Sequence, residues 1–124
     1  MKLFTLSILI TSSLILSGCT TPQPVAPAAI STAEVSIPTG SIYFYSATCS
    51  HCQTVRTYID NNHIKQTSYF LELEVSNDTH NAAILKSVGA RCSISENDLS
   101  VPLFWNGKTC YSGSEEVIKY LTNL

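Results

Sequence analysis

Two cysteines three residues apart, Cys49 and Cys52, stand on the seam between a short apolar run and a helical stripe. The run, SIYFYS at 41–46, is continuous and rich in aromatics, as a strand buried on both faces is. From Cys52 onward apolar residues fall at 52, 55, 58 and 59, a spacing that predicts a helix ending near DNNH at 60–63. A strand that feeds straight into a helix leaves few ways to fold, because the helix must pack back over the strand it leaves. Positions i and i+3 are neighbours on a helix, so the two sulfurs can close a small ring at its first turn. The spacing alone admits a reactive dithiol, part of a metal site, or a structural bridge.

The remaining pattern builds one small domain over 40–124. SYFLELEV at 68–75 alternates, with Tyr69, Leu71, Leu73 and Val75 on one face and Glu72 and Glu74 on the other, which predicts a half-exposed edge strand. NDTHNAAILKSVGA supplies a capping Asn or Asp, apolar positions 84, 85 and 88, and a stop at Gly89. VPLFW and KTCYS flank Asn106-Gly107, a strong hairpin signal that sets 105 opposite 108 and Cys110 opposite Leu103. In SGSEEVIKYLTNL, Ser112 and Glu115 have capping-box spacing ahead of a stripe at Val117, Ile118, Leu121 and Leu124. The order β-α-β-α-β-β-α predicts an α/β fold, a four-stranded mixed sheet with helices on both faces.

Ahead of this domain the chain reads MKLFTLSILITSSLILSGCTTP. Lys2, an uncharged apolar run over 3–16 and small residues after it have the layout of a secretory signal. The run is short of the roughly 20 residues that span a bilayer. LSGC at 16–19 resembles the lipobox of bacterial lipoproteins. That resemblance implies a signal peptide over 1–18, lipid attachment at Cys19, and a domain held at a membrane of the cell envelope, facing the periplasm. Thr20 after the cysteine favours the outer membrane. Residues 20–39 hold four of the five prolines, one charge and no aromatic, a composition that cannot bury enough surface to fold and reads as a tether. Extended, it would reach on the order of 60 Å. With Lys2 set aside, six basic residues face nine acidic ones, a net charge of −3 with no basic patch, and nucleic-acid binding is not expected.

If Cys19 carries the lipid, four of the five cysteines remain, an even number suited to bridges in an exported domain. Cys49 and Cys52 are not equivalent. Cys52 shares the stripe of Val55 and Ile59 and should be shielded. Cys49 sits at or just before the helix, where unpaired backbone N–H groups and the positive end of the helix dipole lower a thiol's pKa. Cys49 is therefore the expected nucleophile and Cys52 the resolving thiol. Ser50 and His51 lie between them, and an imidazolium at His51 would favour the ionised, reduced state. A tetrahedral zinc site needs four ligands, and neither a second CxxC nor an HxxxH is present, while His63 and His80 read as solvated. No metal or other cofactor is expected.

The strand leading into CSHC, the Val-Pro before a hairpin and the closing helix together resemble the thioredoxin superfamily, in its compact glutaredoxin-like form. The resemblance spans 40–124 and implies a thioredoxin-like fold with the same cysteine roles. It also implies a cis Val101–Pro102 bond facing the CxxC, where the backbone before the proline meets the substrate chain; Pro102 is the domain's only proline and interrupts an apolar strand. His51 just before the second cysteine is similar to the periplasmic disulfide oxidases. No aromatic precedes Cys49, and YSGSEE has one glycine where glutathione-using glutaredoxins carry two, so glutathione is not an expected partner.

Cys92 and Cys110 flank the strand begun by Val101, and a Cys92–Cys110 disulfide is expected, worth about 3 kcal/mol in the chain-entropy model. Two buried thiols, or a second exchange pair serving Cys49, are the alternatives. The expected function is a membrane-anchored thiol–disulfide oxidoreductase acting on protein thiols and disulfides, with an unidentified redox partner. A copper- or zinc-handling lipoprotein and a non-catalytic interaction domain are the readings from other classes.

Overall fold

The strand read at 41–46 forms β1, Ile42–Tyr45, in a computed structural model that describes residues 35–124. The signal segment 1–18, Cys19 and the tether as far as residue 34 lie outside the described residues. The elements that follow are α1 (Ser50–Asn61), α2 (Ile64–Thr67), β2 (Leu71–Glu74), α3 (Thr79–Arg91), β3 (Leu103–Trp105), β4 (Cys110–Ser112) and α4 (Ser114–Leu121). The sheet order is β2-β1-β3-β4, with β1 parallel to β2 and antiparallel to β3, and β3 antiparallel to β4. This is the thioredoxin-like arrangement expected from the sequence.

Burial of β1 on both faces explains its apolar run. Tyr43 joins Val55, Ile59, Phe104, Val117 and Leu121 in a core beneath α1 and α4. Ile42 and Phe44 join Ile84, Leu85, Val88, Leu103 and Trp105 in a second core beneath α3. Phe104 meets Phe70 edge-on at 5.3 Å and Tyr120 at 5.1 Å. Truncating so buried an aromatic to alanine typically costs about 3–5 kcal/mol. Val35 and Ile37, which fall in the segment read as tether, pack against the α3-side core.

β2 lies at the sheet edge, as its alternation predicts, but it is shorter than 68–75. Tyr69 stands outside it and is 86% exposed, and the face toward α3 is built by Leu71, Leu73 and Val75. The one-turn α2, absent from the sequence reading, follows His63, which takes a left-handed conformation at φ 52°.

Three local expectations are corrected. The hairpin register is one residue further on: Asn106 N–H donates to Thr109 O, and Trp105, not Leu103, faces Cys110. Gly107 and Lys108 make the turn because Asn106 Oδ1 accepts from the N–H groups of both Lys108 and Thr109, and Gly107 supplies the positive φ of 92°. Gly89 does not stop α3, which continues to Arg91. Leu99 packs directly over it, and a Cβ at that position would lie 2.7 Å from Leu99 Cδ1, so glycine answers a close approach rather than a cap. Ser112 ends β4 instead of capping α4, whose N-cap is Gly113 at φ 85°.

Candidate active site at the start of α1

The chain leaves β1 at Tyr45, turns through 46–48, and enters α1 with Cys49 as its N-cap. Cys49 N–H donates to Ser46 O at 3.2 Å, closing that turn. The sulfur does what a Ser or Asp oxygen does at other helix starts: Cys49 Sγ accepts from the N–H of Cys52 at 3.3 Å. That donor, together with the dipole of a helix of 12 residues, favours negative charge on this atom. Cys49 is half-buried and Cys52 fully buried, and both are free thiols. Burial, together with its hydrogen bond to Cys49, pushes the Cys52 thiol up to about 12. Beneath it the Tyr43 hydroxyl donates to Cys52 O at 3.1 Å, and burial, then the charges of Cys52 and Cys49, pushes this phenol upward.

Opposite the pair, Val101–Pro102 is a cis peptide with Pro102 buried. Cys49 Sγ–H donates to Val101 O at 3.7 Å, which brings the 101–102 turn against the half-exposed sulfur. Pro102 O accepts from Gly113 N–H at 2.9 Å, tying the same turn to the start of α4. The result is an open groove of about 380 Å³ whose lining includes His51, Val101, Pro102, Gly113, Glu115 and Glu116. His51 and Ser50 are both exposed, and among the described residues neither side chain hydrogen-bonds to a sulfur.

A polar cluster holds the turn that delivers Cys49, and the sequence reading missed it. Glu74, at the end of β2, accepts from the N–H groups of Ala47, Ser76 and Asn77 and from the Ser76 hydroxyl. Ser76 Oγ and Ser46 Oγ also share a hydrogen bond at 2.7 Å, and Ser46 shares another with Thr48 at 3.1 Å. These bonds, the Ser76 hydroxyl foremost, hold the Glu74 carboxyl down to about 2. The local half was visible in the sequence, since an acidic residue two and three positions ahead of Ser76 and Asn77 is a turn signal. The bond to Ala47, 27 residues away, has no local signature.

Cys92 and Cys110 form a disulfide at the other end of the sheet. Cys92 caps the end of α3, and Cys110 faces Trp105, which is paired with Ile42 at the beginning of β1. Cys49 follows the other end of that strand, so the bridge does not adjoin the reactive pair. Among the described residues no three His, Cys, Asp or Glu side chains are grouped so as to hold a metal ion. His63 lies at the start of α2 and His80 in the first turn of α3, both exposed and away from the groove.

No protein-family model matches the chain, and no curated protein matches it. Among solved structures the chain is similar to glutaredoxins, members of the thioredoxin superfamily. A buckwheat glutaredoxin in complex with glutathione is 15% identical, with 68% of this chain and 69% of that one covered and a TM-score of 0.47. Oxidized glutaredoxin 2 from Chlamydomonas reinhardtii is 17% identical over 68% of this chain and 72% of its own, at 0.47. The holo form of glutaredoxin C1 from Populus tremula x tremuloides is 12% identical over 73% and 81%, at 0.48.

Proposed function

We propose that this domain is a thiol–disulfide oxidoreductase acting on protein thiols and disulfides, with Cys49 as the attacking sulfur and Cys52 as the resolving one. The observation that carries the reading is the asymmetry of the pair: Cys49 is reachable, caps a helix and lies beside a groove, while Cys52 is fully buried.

In the reducing direction, Cys49 thiolate attacks one sulfur of a substrate disulfide. A Cys49–substrate bond forms, and the second substrate sulfur leaves as a thiolate that takes a proton from solvent. Cys52 then gives up its proton to solvent and attacks the Cys49 sulfur, releasing the first substrate sulfur. Two electrons pass from the dithiol to the substrate, and the products are a substrate dithiol and a Cys49–Cys52 disulfide. Oxidation of client thiols is the same sequence reversed. The net direction is set by the potential of the partner that resets the pair. Val101 presents its backbone to the client chain at the groove, Pro102 shapes the turn that holds it there, and an imidazolium at His51 would favour the leaving thiolate. Glutathione, the ligand of the buckwheat glutaredoxin, is the alternative substrate.

The same reading places the protein on a membrane through lipid at Cys19, with the domain in the periplasm of a bacterial cell envelope, at the outer membrane. Loss of palmitate labelling and of membrane retention in Cys19→Ala tests that part.

Trapping tests the chemistry. The Cys52→Ala variant should accumulate mixed disulfides between Cys49 and client proteins, and Cys49→Ala should accumulate none. Clean trapping by Cys49→Ala instead of Cys52→Ala reverses the roles, and none by either ends the enzymatic reading in favour of a non-catalytic interaction domain. Stoichiometric Cu(I) or zinc on the reduced domain, lost in Cys52→Ala, would identify a metal-handling lipoprotein instead.

A further inference from the structure

We infer that the groove beside Cys49 selects peptide substrates that carry lysine or arginine next to the reacting cysteine. This rests on the proposed exchange at Cys49. The groove is built to take a chain lying against the 101–102 turn: Val101 O touches the nucleophilic sulfur, and Val101 N–H takes no acceptor among the described residues. A backbone donor left unpaired at a surface cleft is suited to an incoming main chain. What sets the substrate's character is the charge of the lining. Glu115 and Glu116, in the first turn of α4, are both exposed and line this groove.

No lysine or arginine lines the groove, and His51 is its one group able to turn cationic. Among the described residues neither glutamate is in an ion pair; Lys119, one turn further along α4, bridges neither of them. Their position also offsets the positive end of the α4 dipole, which would otherwise draw an anion to Gly113. The groove therefore presents uncompensated negative charge to whatever lies along it. An ammonium or guanidinium flanking the substrate sulfur gains there, and a carboxylate loses. The effect is a preference rather than an anchor, because both carboxylates are solvated and salt screens them.

The test uses reduced mature protein in single turnover, with no added reductant, and three symmetric peptide disulfides whose cysteine is flanked by lysine, glutamine or glutamate. Each rate is divided by that of mercaptoethanol with the same peptide, which removes the effect of the flanking charge on the disulfide itself. The lysine peptide should react about threefold to tenfold faster than the glutamate peptide at low salt, the span expected of one or two exposed ion pairs, and the ratio should shrink in high salt. The Glu115→Gln/Glu116→Gln variant should bring the ratio close to one by slowing the lysine peptide, and Glu115→Lys/Glu116→Lys should invert it. A ratio of one in the unaltered protein overturns the inference, as does a ratio that survives both substitutions in variants with unchanged circular dichroism. If even the glutamine peptide fails to react at Cys49, it is the oxidoreductase reading that falls, and this one with it.

Discussion

The domain carries two cysteine pairs at opposite ends of one sheet, and their surroundings assign them different work. At one end Cys49 and Cys52 share the first turn of a helix, with one sulfur reachable beside a groove and the other buried. At the other, Cys92 and Cys110 come from a helix end and an edge strand 18 residues apart and join them covalently. The element is the same in both; what differs is the backbone around it. A helix start offers unpaired N–H groups to a sulfur, whereas a helix end offers carbonyls, which do nothing for a thiolate. On the proposed reading, location within an ordinary fold is what divides reactive from structural cysteine.

That division can be broken experimentally. Cys49→Ala should reduce disulfide exchange to the uncatalysed background, while the Cys92→Ala/Cys110→Ala double variant should keep exchange within about twofold, measured with the same peptide disulfide. Comparable losses in both would erase the distinction. Within the reactive pair, iodoacetamide at pH 8 should modify Cys49 of the folded, reduced protein and leave Cys52 untouched until unfolding. Burial pushes the Cys52 thiol upward, so at that pH it stays protonated and unreactive. Peptide mapping of the alkylated protein reads this directly.

Stability should show the opposite pattern. Loss of the Cys92–Cys110 bridge should cost about 3 kcal/mol in urea denaturation, because it closes a loop across a separation of 18 residues. Cys49→Ala should cost much less, about 1 kcal/mol, as loss of a helix cap does.

The smallest effect concerns the turn ahead of Cys49. The Glu74 carboxyl is held down to about 2 from 4.5 by its hydrogen bonds, so its contribution is present above about pH 4.5 and is lost as pH falls toward 2. Glu74→Gln should flatten the acid limb of the stability profile by lowering the neutral plateau toward the acid value, because the substitution removes the contribution that protonation removes. It should also slow Cys49 exchange a few-fold if the turn loosens. An unchanged acid limb would show that the cluster does not hold the turn.

Features set by neighbours along the chain were legible in the sequence: the buried strand, the stripe at 52, 55 and 59, and the edge position of β2. What escaped was decided by contacts between distant segments. Gly89 looks like a helix stop until Leu99 is seen packed on it. The Asn106-Gly107 signal located the hairpin correctly. Its register was fixed one residue later by the Asn106 side chain, whose oxygen takes two N–H groups at once. Glu74 read as a solvated alternation partner, since its reach back to Ala47 spans two elements that only the parallel pairing of β1 and β2 brings together. For the site, spacing pointed to the two cysteines, and the resemblance to the thioredoxin superfamily added the proline. The charge character of the groove depended on where α4 begins: its cap is Gly113 instead of Ser112, and Glu115 and Glu116 in its first turn line the groove.

β1 enters the fold at Ile42, beside Trp105 and the hairpin, and Cys49 emerges beyond its far terminus. The strand therefore runs the full distance between the hairpin end of the sheet and the helix start that carries Cys49, so a change at Trp105 or the turn beyond it reaches that sulfur only through the pairing of β1.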